Sequence, residues 1–151
     1  MKITKRGEYA LRALMALALV YEQKTLSLRE ISVKEGLPVK FLEQIMTVLK
    51  RAGFVQSLKG KHGGYSLSRS PKEITLGQVI RAVDGPLAPI GTASGIRKQI
   101  EKRDRHVGLY VTFLEVRDAI AEILDRTTLA DIYEKSLELA HSDPLHQMYY
   151  I

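Results

Sequence analysis

Lys40, Glu43, Gln44, Thr47, Lys50 and Arg51 recur at one-, three- and four-residue steps, the spacing that gathers side chains on one face of a helix. These residue types reach base edges and phosphates in nucleic acid. Glu43 in particular is an acceptor suited to a cytosine amino group, and it would repel a wrongly placed phosphate. Downstream, Lys59-Gly60-Lys61-His62-Gly63-Gly64 sets two lysines among three glycines with no acid. Such a tip can press its backbone against phosphates or enter a minor groove. Alone it reads as an ordinary basic surface hairpin. Bond-breaking chemistry finds no comparable support. The chain has no cysteine, which excludes disulfides, thiolate metal sites and a cysteine nucleophile. Its Asp, Glu and His residues show neither paired carboxylates nor a Ser–His–Asp pattern, so enzymatic activity is not expected.

The elements that would position these groups are legible. Ser27-Leu28-Arg29-Glu30 has the spacing of a capping box, in which serine and glutamate satisfy each other's helix-end amides. The short helix it opens ends at Gly36, and Leu37-Pro38 restarts the chain, since proline suits a helix start and not its interior. From Val39 to Ala52, Leu42, Ile45, Met46 and Leu49 form an apolar face opposite the polar set, and Gly53 stops the helix. Two helices joined by a short glycine-containing turn make a helix-turn-helix. Phe54–Leu58 and Tyr65–Leu67 follow as strand-like runs around the basic tip. In that position the hairpin becomes a wing.

Charge agrees with this reading. The net charge is +6, but residues 1–70 hold 13 Lys/Arg against 5 Asp/Glu, whereas residues 71–151 hold 10 against 12. The surplus sits on the half that would face phosphates. A merely solvated basic surface would give the same count. At 151 residues the chain is long enough for one core and an appendage.

Tyr9–Tyr21 is apolar except for Arg12 and follows Lys2, Lys5 and Arg6, a pattern shared with secretory signals. Glu8 and Arg12 interrupt it, and it is shorter than the about 20 residues of a membrane span. It is expected to be a buried helix capped by Thr4, in a cytoplasmic protein without membrane attachment. Thr75-Leu76-Gly77-Gln78 opens another helix, closed by Gly85-Pro86. Residues 86–106, with Pro89, Gly91, Gly95 and five basic residues, read as a loop with at most a helical turn at Ile96–Lys102. Val107–Arg126 is the longest helical pattern. Its stripe Phe113, Val116, Ile120, Ile123 and Leu124 needs a cover, either the same domain or a second copy in a symmetric dimer. Thr128 caps a last helix to about Leu139, ahead of a polar stretch and a tail. The expected fold is mainly α with a small β-hairpin wing. A winged helix-turn-helix occupies 1–85, a sensor-like loop 86–106, dimerisation helices 107–140 and a tail 141–151.

Several segments in order, Thr4–Leu11, Phe41–Ile45, Gly63–Leu67, Val79–Pro86, Val116–Ala119 and Thr127–Asp131, resemble the Rrf-two family of bacterial winged-helix transcription regulators. That family includes an iron–sulfur cluster regulator, a nitric-oxide-sensing repressor and a cysteine-metabolism repressor. The resemblance implies a homodimer joined through the long helix on an imperfect palindrome, with Lys40, Glu43 and Gln44 at bases and Lys59 in the minor groove. The full set of candidate DNA contacts is Lys5, Ser27, Arg29, Val39, Lys40, Glu43, Gln44, Lys50, Lys59, Lys61, His62 and Tyr65. An interaction module without sequence readout is the alternative class.

Many relatives hold a cluster through three cysteines in the segment that is Gly91–Val107 here. This chain offers Thr92, Ala93, Ser94 and Val107 instead. Because such clusters are held mainly by cysteine sulfur, no cluster and no other cofactor is expected. Glu8, aligned with a ligand position of some relatives, reads as a helix N-terminal charge, and His106 alone does not make a metal site. The cysteine-metabolism repressor also lacks the cysteines and ends, like this chain, in aromatics followed by Ile. That likeness implies a cysteine synthase partner, with Tyr149, Tyr150 and Ile151 as an apolar anchor and carboxylate of the kind backbone nests capture. Folding of the tail over the protein's own helices stays open, as does a small ligand between Leu87 and His106.

Overall fold

Thr4 starts the first helix: its hydroxyl accepts from the Gly7 amide at 3.1 Å, and α1 runs Lys5–Ala18. The computed structural model describes residues 3–87 and 91–142. Arg12, which breaks the apolar run of α1, donates to the Glu35 carbonyl and lies 3.4 Å from the Glu35 carboxylate. It thereby satisfies the C-terminal end of α2 (Leu28–Glu35). That helix begins with the Ser27–Glu30 capping box and ends on Gly36 at φ 63°, the left-handed conformation that only glycine adopts without strain. α3 (Val39–Arg51) follows with Pro38 as its N-cap, one residue outside the helix.

Leu42, Ile45, Met46 and Leu49 of α3 are fully buried against Ala10, Leu14 and Leu17 of α1 and Ile31 of α2. Burying each such leucine or isoleucine stabilises by about 1.5–3 kcal/mol, enough to hold helices too short to persist alone. β1 (Val55–Leu58) and β2 (Gly64–Leu67) pair antiparallel, Val55 opposite Leu67 and Leu58 opposite Gly64. A 3₁₀ turn (Pro71–Glu73) leads to α4 (Leu76–Asp84), opened by the expected Thr75–Gln78 capping box. Val79 of α4 and Leu129 close the core.

One expectation needs correction. The stretch read as a loop contains α5 (Ala93–Glu101), capped by the Thr92 hydroxyl and anchored by buried Ile96. Thr92 is a cap of the same kind as Thr4, but nearby Pro and Gly residues resemble breakers, so the sequence shows at most a helical turn; packing against α6 holds the full helix. α6 (Val107–Arg126) has the bounds expected. α7 (Leu129–Ser142) starts at a Thr128–Asp131 capping pair and runs about one turn beyond expectation. Among the described residues no helix is long and apolar enough to cross a membrane.

Candidate nucleic-acid interface

α3 divides its surface cleanly. Its apolar face is buried, and Val39, Lys40, Glu43, Gln44, Thr47, Lys50 and Arg51 are exposed. Helix periodicity puts Lys40, Gln44, Thr47 and Arg51 at the centre of the outward face, with Val39, Glu43 and Lys50 on one flank. The flank is where the wing lies: Lys50 Nζ donates to Ser57 Oγ of β1 at 2.6 Å. Lys50 therefore spends one of its three donors on holding α3 to the hairpin and keeps two for a ligand.

The wing is oriented by a third segment that sequence reading missed. Leu26 and Tyr65 exchange backbone hydrogen bonds at 3.0 and 2.7 Å, and Thr25 Oγ1 donates to the His62 carbonyl at 3.0 Å. These bonds join the tip to the chain entering α2, as the Lys50–Ser57 bond joins the hairpin to α3. Gly64, at φ 150°, fits because a Cβ there would lie 2.6 Å from the Leu26 carbonyl oxygen. The Tyr65 ring packs on the core and supports the wing as well as edging it. Lys59, Lys61 and His62 are exposed at the tip, and neither lysine has an acidic partner among the described residues.

Other candidates have structural duties too. The Ser27 hydroxyl accepts from the Glu30 amide at 3.1 Å, and the Ser27 amide donates to Glu30 at 2.7 Å, which lowers the Glu30 carboxyl below its usual range. Arg29 is exposed on the first turn of α2. Lys5 bonds Glu8 at 2.8 Å, and this bond raises the lysine and lowers the glutamate from their ordinary values. Glu8 thus lies in the first turn of α1, where the helix dipole favours an anion. Arg6, absent from the candidate set, lines a surface recess of ≈ 420 Å³ with Val48, Arg51, Ala52, Ala82 and Val83. It brings a second cation beside the end of α3, across 45 residues of sequence that carry no local hint of it.

The dimer candidates form no closed interface within one chain. α6 has no buried residue; Val116 is 46% and Ile123 54% exposed, while Phe113, Ile120 and Leu124 are half-buried. Phe113 meets Tyr110 edge-on at 6.2 Å. Tyr149, Tyr150 and Ile151 lie outside the described residues. In the segment 91–107, Thr92 caps α5 and bonds Ser94 at 3.1 Å, and the His106 ring takes Arg105 Nε at 3.1 Å.

Comparison with known proteins adds independent findings. A family model described as Rrf2, an iron-dependent transcriptional regulator, matches residues 3–135. The HTH-type transcriptional regulator CymR of Bacillus subtilis is 35% identical over 132 residues, 87% of this chain and 89% of CymR. A solved structure of CymR, described as the global cysteine regulator of B. subtilis, superposes with a TM-score of 0.77 at 32% identity over 89% of this chain and 98% of that one. The structure of T. potens IscR gives 0.71 at 30% identity over 99% and 97%. Iron in the family description can be tested against the donors present. The chain has no thiolate, and among the described residues no three His, Asp or Glu side chains gather as a metal site. These residues do not fit a cysteine-held cluster.

Proposed function

The chain belongs to the Rrf2 family of transcriptional regulators, and from that membership we propose that two copies bind an imperfect palindrome, each laying α3 in a major groove. It is a helix-turn-helix transcriptional regulator and not an enzyme. Lys40, Glu43 and Gln44 meet base edges, the Lys59–Gly64 tip grips the adjacent backbone or minor groove, and α6 pairs with α6. The single observation that carries this reading is the polar, exposed face of α3 held beside the basic wing by the Lys50–Ser57 bond. Coupling of the two elements supports this reading, because elements already held together lose less freedom on binding one duplex.

The reading includes regulation without a cluster, in a cytoplasmic protein, as a repressor of cysteine or sulfur genes. Support comes from the donor chemistry of the chain and from its likeness to CymR, described as a global cysteine regulator. A cysteine synthase that captures Tyr149–Ile151 is the partner it adds. Deletion of these three residues should abolish pull-down of cysteine synthase and leave DNA binding intact; retained pull-down removes that partner.

The test of the main reading is a titration on palindromic and scrambled duplexes at one salt concentration. The palindrome selected by the protein should bind about 10³-fold tighter or more. Equal binding of both would support an interaction module without sequence readout.

A further inference from the structure

Two carboxylates, Asp84 and Asp125, each occupy a notch made by a glycine inside a helix. A Cβ on Gly7 of α1 would strike the Asp84 carboxylate, and one on Gly77 of α4 would strike that of Asp125. Neither glycine has a positive φ, so the backbone does not require glycine at either place. The carboxylates occupy the room a Cβ would take, so a larger residue at either place would displace them. Asp84 accepts from the Thr4 amide at 3.1 Å and from the Thr4 hydroxyl at 2.5 Å. Asp125 accepts both arms of the Arg81 guanidinium, at 2.5 and 2.8 Å.

Their positions make no sense for the local helices. Asp84 is the last residue of α4 and Asp125 the second-last of α6, where the helix dipole disfavours an anion. Each is explained by the element it reaches. Asp84 ties α4 to the start of α1, and α1 touches α3 through the edge-on contact of Tyr9 with Phe41 at 5.7 Å. Asp125 ties α6 to Arg81, three residues before Asp84 on the same nine-residue helix. One short strut therefore joins the recognition helix to the dimer helix.

We infer that Asp84 and Asp125 are positioning residues that set the half-site spacing read by the dimer, an inference resting on the proposed pairing of α6. The exit of α6 is already pinned at one point. Leu76 N–H donates to the Thr127 carbonyl, and Leu129 N–H to that of Ile74, both at 2.9 Å. Those bonds and the packing of α6 on α4 and α5 set its general direction. The fork to Arg81 lies five residues beyond Leu76 on α4, about 7.5 Å further along its axis, and this further fixed point narrows the angle that packing leaves open. A 20-residue helix is about 30 Å long, so a swing of about 10° would move its far end by about 5 Å, more than one base-pair step. The ion pair is 41% and 45% exposed, so it adds little to stability. Its value is directional, since a bidentate fork fixes an angle that a point charge does not.

The experiment uses the full chain and duplexes carrying the spacing chosen by wild type, spacings one base pair longer and shorter, and a single half-site. Asp125→Ala, Asp84→Asn and Arg81→Lys should each cut the discrimination between spacings by about tenfold. Dimer mass in sedimentation and half-site affinity should stay at wild-type values. Arg81→Lys keeps the charge and loses the fork, so it separates geometry from attraction without endangering the fold. Unchanged spacing discrimination in Asp125→Ala and Arg81→Lys would overturn the inference while leaving the dimer reading in place. A wild type indifferent to spacing would overturn the dimer reading, and the inference with it.

Discussion

The first 85 residues and the last two helices treat apolar surface in opposite ways. α1 to α4 and the wing bury most of their leucines and isoleucines among themselves, Leu58 excepted, and among the described residues Leu129 is the one contribution from beyond α4 to the core cluster. α6 buries nothing fully, and α6 and α7 leave Leu109, Val116, Ile123, Tyr133, Leu137 and Leu139 at least 40% exposed. A helix of that length with a continuous apolar stripe is unfinished in one chain. The contrast teaches where assembly should matter: the winged helix is complete in itself and presents charge, whereas the α6 end presents surface that a second copy can cover. The two regions meet at α4, and α7 also rests on α1 and the 3₁₀ turn.

The largest effect should come from breaking the second region without touching the first. Ile123→Glu puts a charge at a position already 54% exposed, so the monomer should fold. Affinity for the palindrome should fall by about 10²–10⁴-fold as the two half-sites cease to act together, with half-site affinity retained. A stable Ile123→Glu dimer in sedimentation would refute the assignment of α6. Within the first region, Glu43→Ala should cost about 1–3 kcal/mol of discrimination at one base position. That is read by competing duplexes that differ only there; a uniform loss over all sequences would move Glu43 off the bases. Lys59→Ala should weaken binding to every duplex and reduce the slope of log affinity on log salt by about one. An unchanged slope removes Lys59 from the phosphate contacts.

These effects rest on elements that differ in how far the chain announces them. Thr4, Ser27 with Glu30, Thr75 with Gln78, and Thr128 are caps whose partners lie three residues away, so sequence spacing is enough to find them. The face of α3 is legible for the same reason, because helix periodicity is local. α5 is only half legible: its Thr92 cap has the same local spacing, but Pro and Gly residues nearby obscure it, and the packing of Ile96 and α6 is not written locally. The site has the same division. The polar set on α3 and the basic tip are readable. The bonds that aim them are not: Thr25 to His62 spans 37 residues, Arg81 to Asp125 44 and Thr4 to Asp84 80. Ser27 reads both as a DNA contact and as a cap, and the cap is formed; Lys50 reads only as a DNA contact, and its bond to Ser57 is revealed by the fold.

The smallest effect sharpens the junction between the regions. The guanidinium of Arg81, bonded to Asp125, keeps that carboxyl below its usual range. A depressed carboxylate contributes stability above its unfolded value, near about 4, and loses it as pH falls through the lower folded value. With both side chains more than a third exposed, wild type should exceed Asp125→Asn by at most about 1 kcal/mol at neutral pH. Denaturant titrations should show that gap closing below about pH 4. A gap that persists in acid would assign the difference to packing.

Hydroxyl-radical footprinting on the selected operator tests the central claim most directly. Two protected patches on one face of the duplex, related by its dyad and separated by a whole number of helical turns of about 10 base pairs, are the predicted result, with both weakened together by Ile123→Glu. A single patch of one half-site, unchanged by Ile123→Glu, would contradict a pair of winged helices held in register through α6.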